Sequence, residues 1–137
     1  MSTDRSPEEA RDRPIVPTTT KRVVVFESVT SAAIASALDG LALRQRTIAN
    51  NIANVNTPGY HAKRVAFEDA LVRSVRAGDG AATATTERSL EPTRLNGNNV
   101  NLDTETLSNI DTVLRYQFAA QAVNGTFTGV RTALRTS

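Results

Sequence analysis

With 137 residues, aromatic side chains at 4% and no tryptophan, the chain supports one domain with a modest core rather than a large globule. Sixteen basic and fourteen acidic residues leave a net charge of +2, without the concentrated patch by which a nucleic-acid binder announces itself. No cysteine is present, which excludes disulfides, thiolate metal sites and cysteine nucleophiles, and no run approaches the roughly 18 apolar residues of a bilayer span.

Residues 1–27 read as a disordered or extended tail. Pro7, Pro14 and Pro17 punctuate a mixed-charge segment whose apolar positions after the initiator are Ala10, Ile15 and Val16, too few to offset the entropy of ordering. Val23 to Phe26 has β propensity and either extends the following helix or staples its start. Lys21-Arg22 before that run imitates a secretory leader. Glu27 interrupts it after four apolar residues, where a leader core needs about 7 to 15, so no cleaved signal peptide is expected.

Residues 28–56 are predicted to form the first long helix. Ile34, Leu38, Leu41, Gln45, Ile48, Ile52 and Val55 recur at alternating spacings of four and three, the period of a coiled-coil seam. Gly40 inside it softens the helix by about 1 kcal/mol relative to alanine. Arg44 and Arg46 are expected to point away from the seam, and Gln45 is its single polar member. At Thr57-Pro58-Gly59-Tyr60 the helix has to stop, because Pro58 cannot continue it and biases Thr57 toward extended backbone. Pro-Gly suits the centre of a type II turn, with Gly59 at positive φ. Asn50, Asn51, Asn54 and Asn56 give this exit more side-chain amide than a helix end requires, available to backbone groups or to a neighbouring chain.

Residues 57–102 read as a turn, a short helix and a flexible linker. Phe67, Leu71 and Val75 share one face of a helix over Phe67 to Arg76. Ala77 to Ser89 is small, polar and glycine-bearing, the composition of a linker, and Leu90 to Asn99 reads as irregular around Pro92 and Asn96-Gly97-Asn98-Asn99. Residues 40–76 carry six basic and two acidic side chains. The second long helix is predicted over 103–137, capped by Asp103 with Glu105 in its first turn. Val113, Tyr116, Ala120, Val123, Phe127, Val130 and Leu134 form one heptad seam. Leu107, Ile110, Leu114 and Phe118 form a second stripe on another side of the helix, about 150° away at 100° per residue. Two apolar stripes need two packing partners, and the first helix supplies only one. Gly125 and Gly129 weaken the second half by about 2 kcal/mol in isolation, so that half is expected to fray in a lone subunit.

The string Ala49-Asn50-Asn51-Ile52-Ala53-Asn54-Val55-Asn56-Thr57-Pro58-Gly59-Tyr60 resembles the N-terminal signature of the bacterial flagellar rod and hook family. The segment Gly97-Asn98-Asn99-Val100-Asn101-Leu102-Asp103-Thr104-Glu105, followed by Leu114-Arg115-Tyr116-Gln117, is similar to the proximal rod branch of that family. The resemblance implies a mainly α fold in which long N-terminal and C-terminal helices pair as an antiparallel coiled-coil-like hairpin. It implies a structural subunit of the basal-body rod, exported unfolded by the flagellar type III apparatus. Such a subunit would polymerise with itself, other rod subunits and the adaptor protein of the membrane ring, outside the cytoplasmic membrane, with no cofactor and no catalysis. Under that reading Asn50, Asn51, Asn54, Thr57, Pro58, Gly59 and Tyr60 form the family turn. Ile34, Leu38, Leu41, Ile48, Ile52, Leu107, Ile110, Leu114, Tyr116, Phe118, Val123, Phe127, Val130 and Leu134 are the subunit-packing positions. The sequence departs from the family in its long tail, in Gly125 and Gly129, and in His61, where lysine is common.

Other classes find less support. His61 is the sole histidine and has no carboxylate or nucleophile at a recognisable spacing, and Gly78-Asp79-Gly80 follows no strand that would make it a phosphate loop. A small basic coiled-coil adaptor or a nucleic-acid-binding module remains the alternative. The basic stretch is not interleaved with aromatic residues, however, and no helix-turn-helix spacing is visible. Neither nucleic acid nor a small-molecule substrate is expected as a partner.

Overall fold

The computed structural model describes residues 18–135. Five elements follow in order: α1 (Thr18–Ala53), β1 (Lys63–Ala66), α2 (Glu68–Arg76), β2 (Thr85–Arg88) and α3 (Leu102–Arg135). The two long helices pack against each other, α1 spanning about 54 Å and α3 about 51 Å at 1.5 Å per residue. They run antiparallel: Thr47 and Ile48 near the end of α1 share a cleft with Glu105, Ser108 and Thr112 near the start of α3. α2 and a two-stranded sheet sit on the flank of α1.

α1 begins ten residues before the expected Ser28 boundary, so residues 18–27, read as tail, are helical. The threonine–lysine–valine run lacks any proline beyond Pro17, and nothing in it interrupts a helix once the downstream turns have formed. The remainder of the expected tail, residues 1–17, lies outside the described residues. At its other end α1 stops at Ala53, and Tyr60 N–H donates to the Thr57 carbonyl at 3.2 Å with Gly59 at φ 71°, closing the turn that Pro-Gly predicts.

The expected flexible linker instead holds β2. It pairs antiparallel with β1 in the register Lys63↔Arg88, Arg64↔Glu87, Val65↔Thr86 and Ala66↔Thr85. Each strand is four residues long, and all of β2 is exposed, so no hydrophobic alternation marks it. Its threonines fit a pleated strand, and α2 between the strands brings it back to β1. The small residues of the linker serve close approach. Gly80 adopts φ 80°, and a Cβ there would collide with the Val29 carbonyl of α1.

The core is small: Leu41, Val65 and Phe67 are buried together, with Ala37, Leu43, Leu71 and Ala84 against them. Gly40 is part of this arrangement. A Cβ at Gly40 would lie 2.6 Å from Phe67 ring carbons, so the glycine that weakens α1 also makes room for the ring. Arg44 does not point away from the packing. Its guanidinium pairs with Glu68 at 2.6 Å, donates to the Val65 carbonyl at 2.9 Å and stands 4.9 Å above the Phe67 ring. Arg46 and Gln45 are exposed. Gln45 therefore faces outward, and the buried line of α1 runs through Leu41, Thr47, Ile48 and Asn51.

α3 is capped by Asn101 and not by Asp103. The Asn101 Oδ1 accepts from Asp103 N–H at 3.0 Å and from Thr104 N–H at 3.3 Å, as an N-cap side chain does. The helix is continuous through Gly125 and Gly129 to Arg135. Thr126, Thr128 and Thr132 hydroxyls donate to carbonyls four residues back, and Ala122, Val123 and Thr126 are half-buried there. Neither glycine interrupts the helix.

Candidate assembly interface

The asparagine turn is held from two sides. Asn51 is 0% exposed. Its Nδ2 donates to the Lys63 carbonyl at 2.9 Å, and its Oδ1 accepts from Lys63 N–H at 2.9 Å and from the Tyr60 hydroxyl at 3.3 Å. The amide thus acts as one more strand residue, locking β1 onto the end of α1. Asn98, also fully buried, donates to the Asn54 carbonyl at 2.9 Å and the Thr57 carbonyl at 2.8 Å. Arg94 donates to the Val55 and Val100 carbonyls at 3.1 and 2.8 Å, and Gly59 N–H donates to the Asn96 carbonyl at 2.8 Å. Gly97, at φ 79°, lies so near the turn that its Cβ would meet Gly59 Cα at 3.2 Å.

Two stretches separated by some forty residues of sequence, Asn50–Tyr60 and Arg94–Val100, therefore form one hydrogen-bonded clamp where α1 ends and α3 begins. Asn54 also bonds locally, its Nδ2 to the Asn50 carbonyl and its Oδ1 to the Thr57 hydroxyl. Asn50, Thr57, Pro58 and Gly59 are exposed, and Tyr60 is half-buried. The excess amides at Asn51 and Asn54 bind this chain's own backbone and side chains. Arg94, Asn98 and Asn99 went unremarked as site residues in the sequence. The signals available were the asparagine–glycine density of residues 96–99, which reads equally as a loop, and the place of Asn98 and Asn99 in the segment that carried the family resemblance.

The apolar positions divide into covered and uncovered groups. Leu41 and Ile48 are each 4% exposed and pack inside this chain. Ile34, Leu38, Ile52 and Val123 are half-buried. On α3, the side facing α1 carries Glu105, Thr112, Val113, Ala120 and Val123, small or polar residues that let the helices approach closely. Its outer stripe is bare: Leu107, Ile110, Leu114 and Phe118 are 53–77% exposed. Further along, Phe127, Val130 and Leu134 continue the α1-facing register, yet are 45–75% exposed. Tyr116 lies at the edge, 39% exposed. A lone subunit rarely presents so continuous an apolar surface without a partner for it.

Two of the six basic side chains in residues 40–76 are engaged within the chain. Arg44 engages Glu68, and Arg64 engages Glu91 at 2.9 Å. Partial burial pushes the Glu68 carboxyl up. The Arg44 hydrogen bond and charge, with the amides of Glu68 and Phe67, outweigh it and hold the group below its ordinary value of 4.5. Among the described residues no cluster of three histidine or acidic side chains is placed to hold a metal, and no helix is long and apolar enough to cross a membrane. His61 lines an open groove with Tyr60 and Lys63.

Comparison with known proteins agrees with this geometry. Residues 33–61, from mid-α1 through the turn, match the family described as "Flagella basal body rod protein". The chain is 31% identical over 113 residues to the flagellar basal body rod protein FlgB of Bacillus subtilis (strain 168), covering 72% of this chain and 88% of the relative. This chain belongs to the flagellar basal-body rod protein family. FlgB of Escherichia coli (strain K12) is likewise 31% identical, over 121 residues and with the same coverage. FlgB of Borrelia hermsii is 53% identical over a shorter stretch of 38 residues, 28% of each chain. The rod protein is a structural subunit of the flagellar basal body, and membership implies assembly with itself and with other rod components.

Proposed function

We propose that this rod subunit polymerises through the two uncovered apolar surfaces of α3, the outer stripe of its first half and the bare register of its last third. The observation that carries this reading is the exposure of Leu107, Ile110, Leu114 and Phe118 in one row. Each such side chain contributes about 1.5–3 kcal/mol when fully withdrawn from water, and α1 is already committed to the other side of the helix. Because the two surfaces lie on different sides and at different heights of α3, one subunit contacts two neighbours by different patches. That is the heterologous geometry that yields open helical polymers instead of closed dimers.

In this reading the chain is a proximal rod component. Its partners include the adaptor protein of the membrane ring, it is delivered unfolded by the flagellar type III apparatus, and it works outside the cytoplasmic membrane by transmitting torque. The nucleic-acid alternative is disfavoured by Arg44 and Arg64, whose charges are engaged within the fold. Leu114→Glu in the full chain tests the proposal. The variant should fold as the wild type does by circular dichroism, yet fail to enter basal bodies and fail to restore swimming to cells lacking the gene. Normal incorporation of the variant would rule out the outer stripe as an interface.

A further inference from the structure

The chain holds two Asn-Gly pairs, Asn96-Gly97 and Asn124-Gly125. Such a pair is reactive in water. Glycine has no Cβ to crowd its nitrogen or restrict its backbone, so that nitrogen, once deprotonated, can attack the amide carbon of the asparagine before it. Asn124-Gly125 lies inside α3. Asn96-Gly97 lies in the clamp, and Asn96 is exposed there to water and hydroxide. Neither the fold nor the assembly surfaces use the reactivity of this second pair.

In the closed clamp the atoms needed for attack are held apart. Gly97 N–H donates to the Arg94 carbonyl at 2.8 Å, closing a turn over Arg94-Leu95-Asn96-Gly97. Among the described residues none but glycine has positive φ, so the turn is type I, with Asn96 in its third position at ψ of about 0°. At that angle the Gly97 nitrogen eclipses the nitrogen of Asn96 and is turned away from the side chain. The side chain is fixed as well, its Oδ1 accepting from Asn98 N–H at 3.1 Å. The Asn96 carbonyl accepts from Gly59 N–H at 2.8 Å. Rotating ψ to bring nitrogen and amide together breaks the turn and swings this carbonyl off Gly59. The clamp must open first.

We propose that Asn96 is a self-modification site that the clamp holds inactive, and that opening the clamp releases the reaction. The Gly97 nitrogen, having lost its proton to hydroxide, forms a bond to Asn96 Cγ. The side-chain nitrogen leaves as ammonia with a proton taken from water. The succinimide so formed adds one water at either carbonyl and opens to aspartate or isoaspartate. The net change is one water consumed and one ammonia released. Isoaspartate puts an extra carbon into the main chain and turns the former Asn96 carbonyl into a free carboxylate. The Gly59–Asn96 and Arg94–Asn98 main-chain bonds, each 2.8 Å in the intact clamp, then fall out of register. A chain kept unfolded therefore loses, by degrees, its ability to close the clamp.

The test follows deamidation at residues 96 and 124 of the full chain by peptide mass spectrometry, in mildly alkaline buffer with and without urea. Unfolded, the two asparagines should convert at similar rates. In the native chain Asn96 should react at least about tenfold more slowly than in urea, since each attack waits for a local opening. As urea is raised, its rate should climb in parallel with hydrogen exchange of the Gly59 amide, which needs the same opening. Asn98→Ala, which removes the contacts to the Asn54 and Thr57 carbonyls, should speed native reaction at Asn96 at least about threefold. To read the consequence, Asn124→Gln chains with and without Asn96→Ser are aged in urea and refolded. The chain that keeps Asn96 should return with a lower urea midpoint than before ageing, and the serine chain with its midpoint unchanged. A native rate at Asn96 equal to that in urea, or one that ignores Gly59 exchange, would overturn the gating. Equal midpoints for the two aged chains would overturn the damage to the clamp.

Discussion

Leucine in place of Asn51 removes three hydrogen bonds at once and leaves both polar groups of the Lys63 backbone without their partner at the end of α1. A buried donor and acceptor stranded together should lower stability by about 2–3 kcal/mol, measurable as an earlier urea midpoint for the isolated subunit. Because Asn51 is buried, such a variant should lose stability before any effect on assembly is felt. Gly40→Ala sets a gain of about 1 kcal/mol in helix propensity against overpacking of about 1–3 kcal/mol on the Phe67 ring. We expect net destabilisation, and the double variant with Phe67→Leu should be more stable than Gly40→Ala alone in thermal melts. Glu68 gives a pH signature. Its carboxyl is held below its ordinary value, so its contribution is fully present above pH 4.5 and disappears as pH falls through the lower folded value. Glu68→Gln should therefore be less stable than wild type near neutrality, with the difference closing in acid; a gap that widened on acidification would contradict the pairing with Arg44.

Substitutions on the outside of α3 should behave in the opposite way to those at the clamp. Leu114→Glu or Phe118→Ser changes monomer stability by no more than about 0.5 kcal/mol, as for other exposed positions, while removing the polymer from sedimentation profiles. Gly125 and Gly129 meet nothing within 4 Å of a built Cβ, so alanine at each should strengthen the helix by about 1 kcal/mol, read as slower amide exchange beyond Ala119. The long helices, the turn at Pro58-Gly59 and the short helix before Arg76 were legible because each rests on local chemistry: heptad spacing, a residue that cannot continue a helix, an amphipathic face. The strands were not. Lys63–Ala66 and Thr85–Arg88 gain their identity only by meeting across α2, and neither carries an alternating apolar pattern. Asn98 and Arg94 were hidden for the same reason, since their partners lie some forty residues away in a turn that had already been explained locally. The two stripes of α3 were visible as patterns, but which of them α1 would cover depended on the small side chains at Ala120 and Thr112, where an apolar tally counts little.

For the molecule as a whole, the uncovered surfaces on different sides of α3 predict that self-association of the isolated chain grows with concentration without a plateau at a fixed size; a sharp, stable dimer would contradict the open geometry. The same architecture has a mechanical side. Among the described residues the clamp closes the helical pair at one end, and Thr18 and Arg135, the outer ends of the antiparallel helices, lie toward the other. Tension applied to the two ends of the polypeptide therefore peels the long helices apart a turn at a time, at low force, instead of shearing their whole contact at once. The last and strongest resistance should come from the knot of amides around Asn51 and Asn98, and a stretching trace should show one late step there after a gentle plateau.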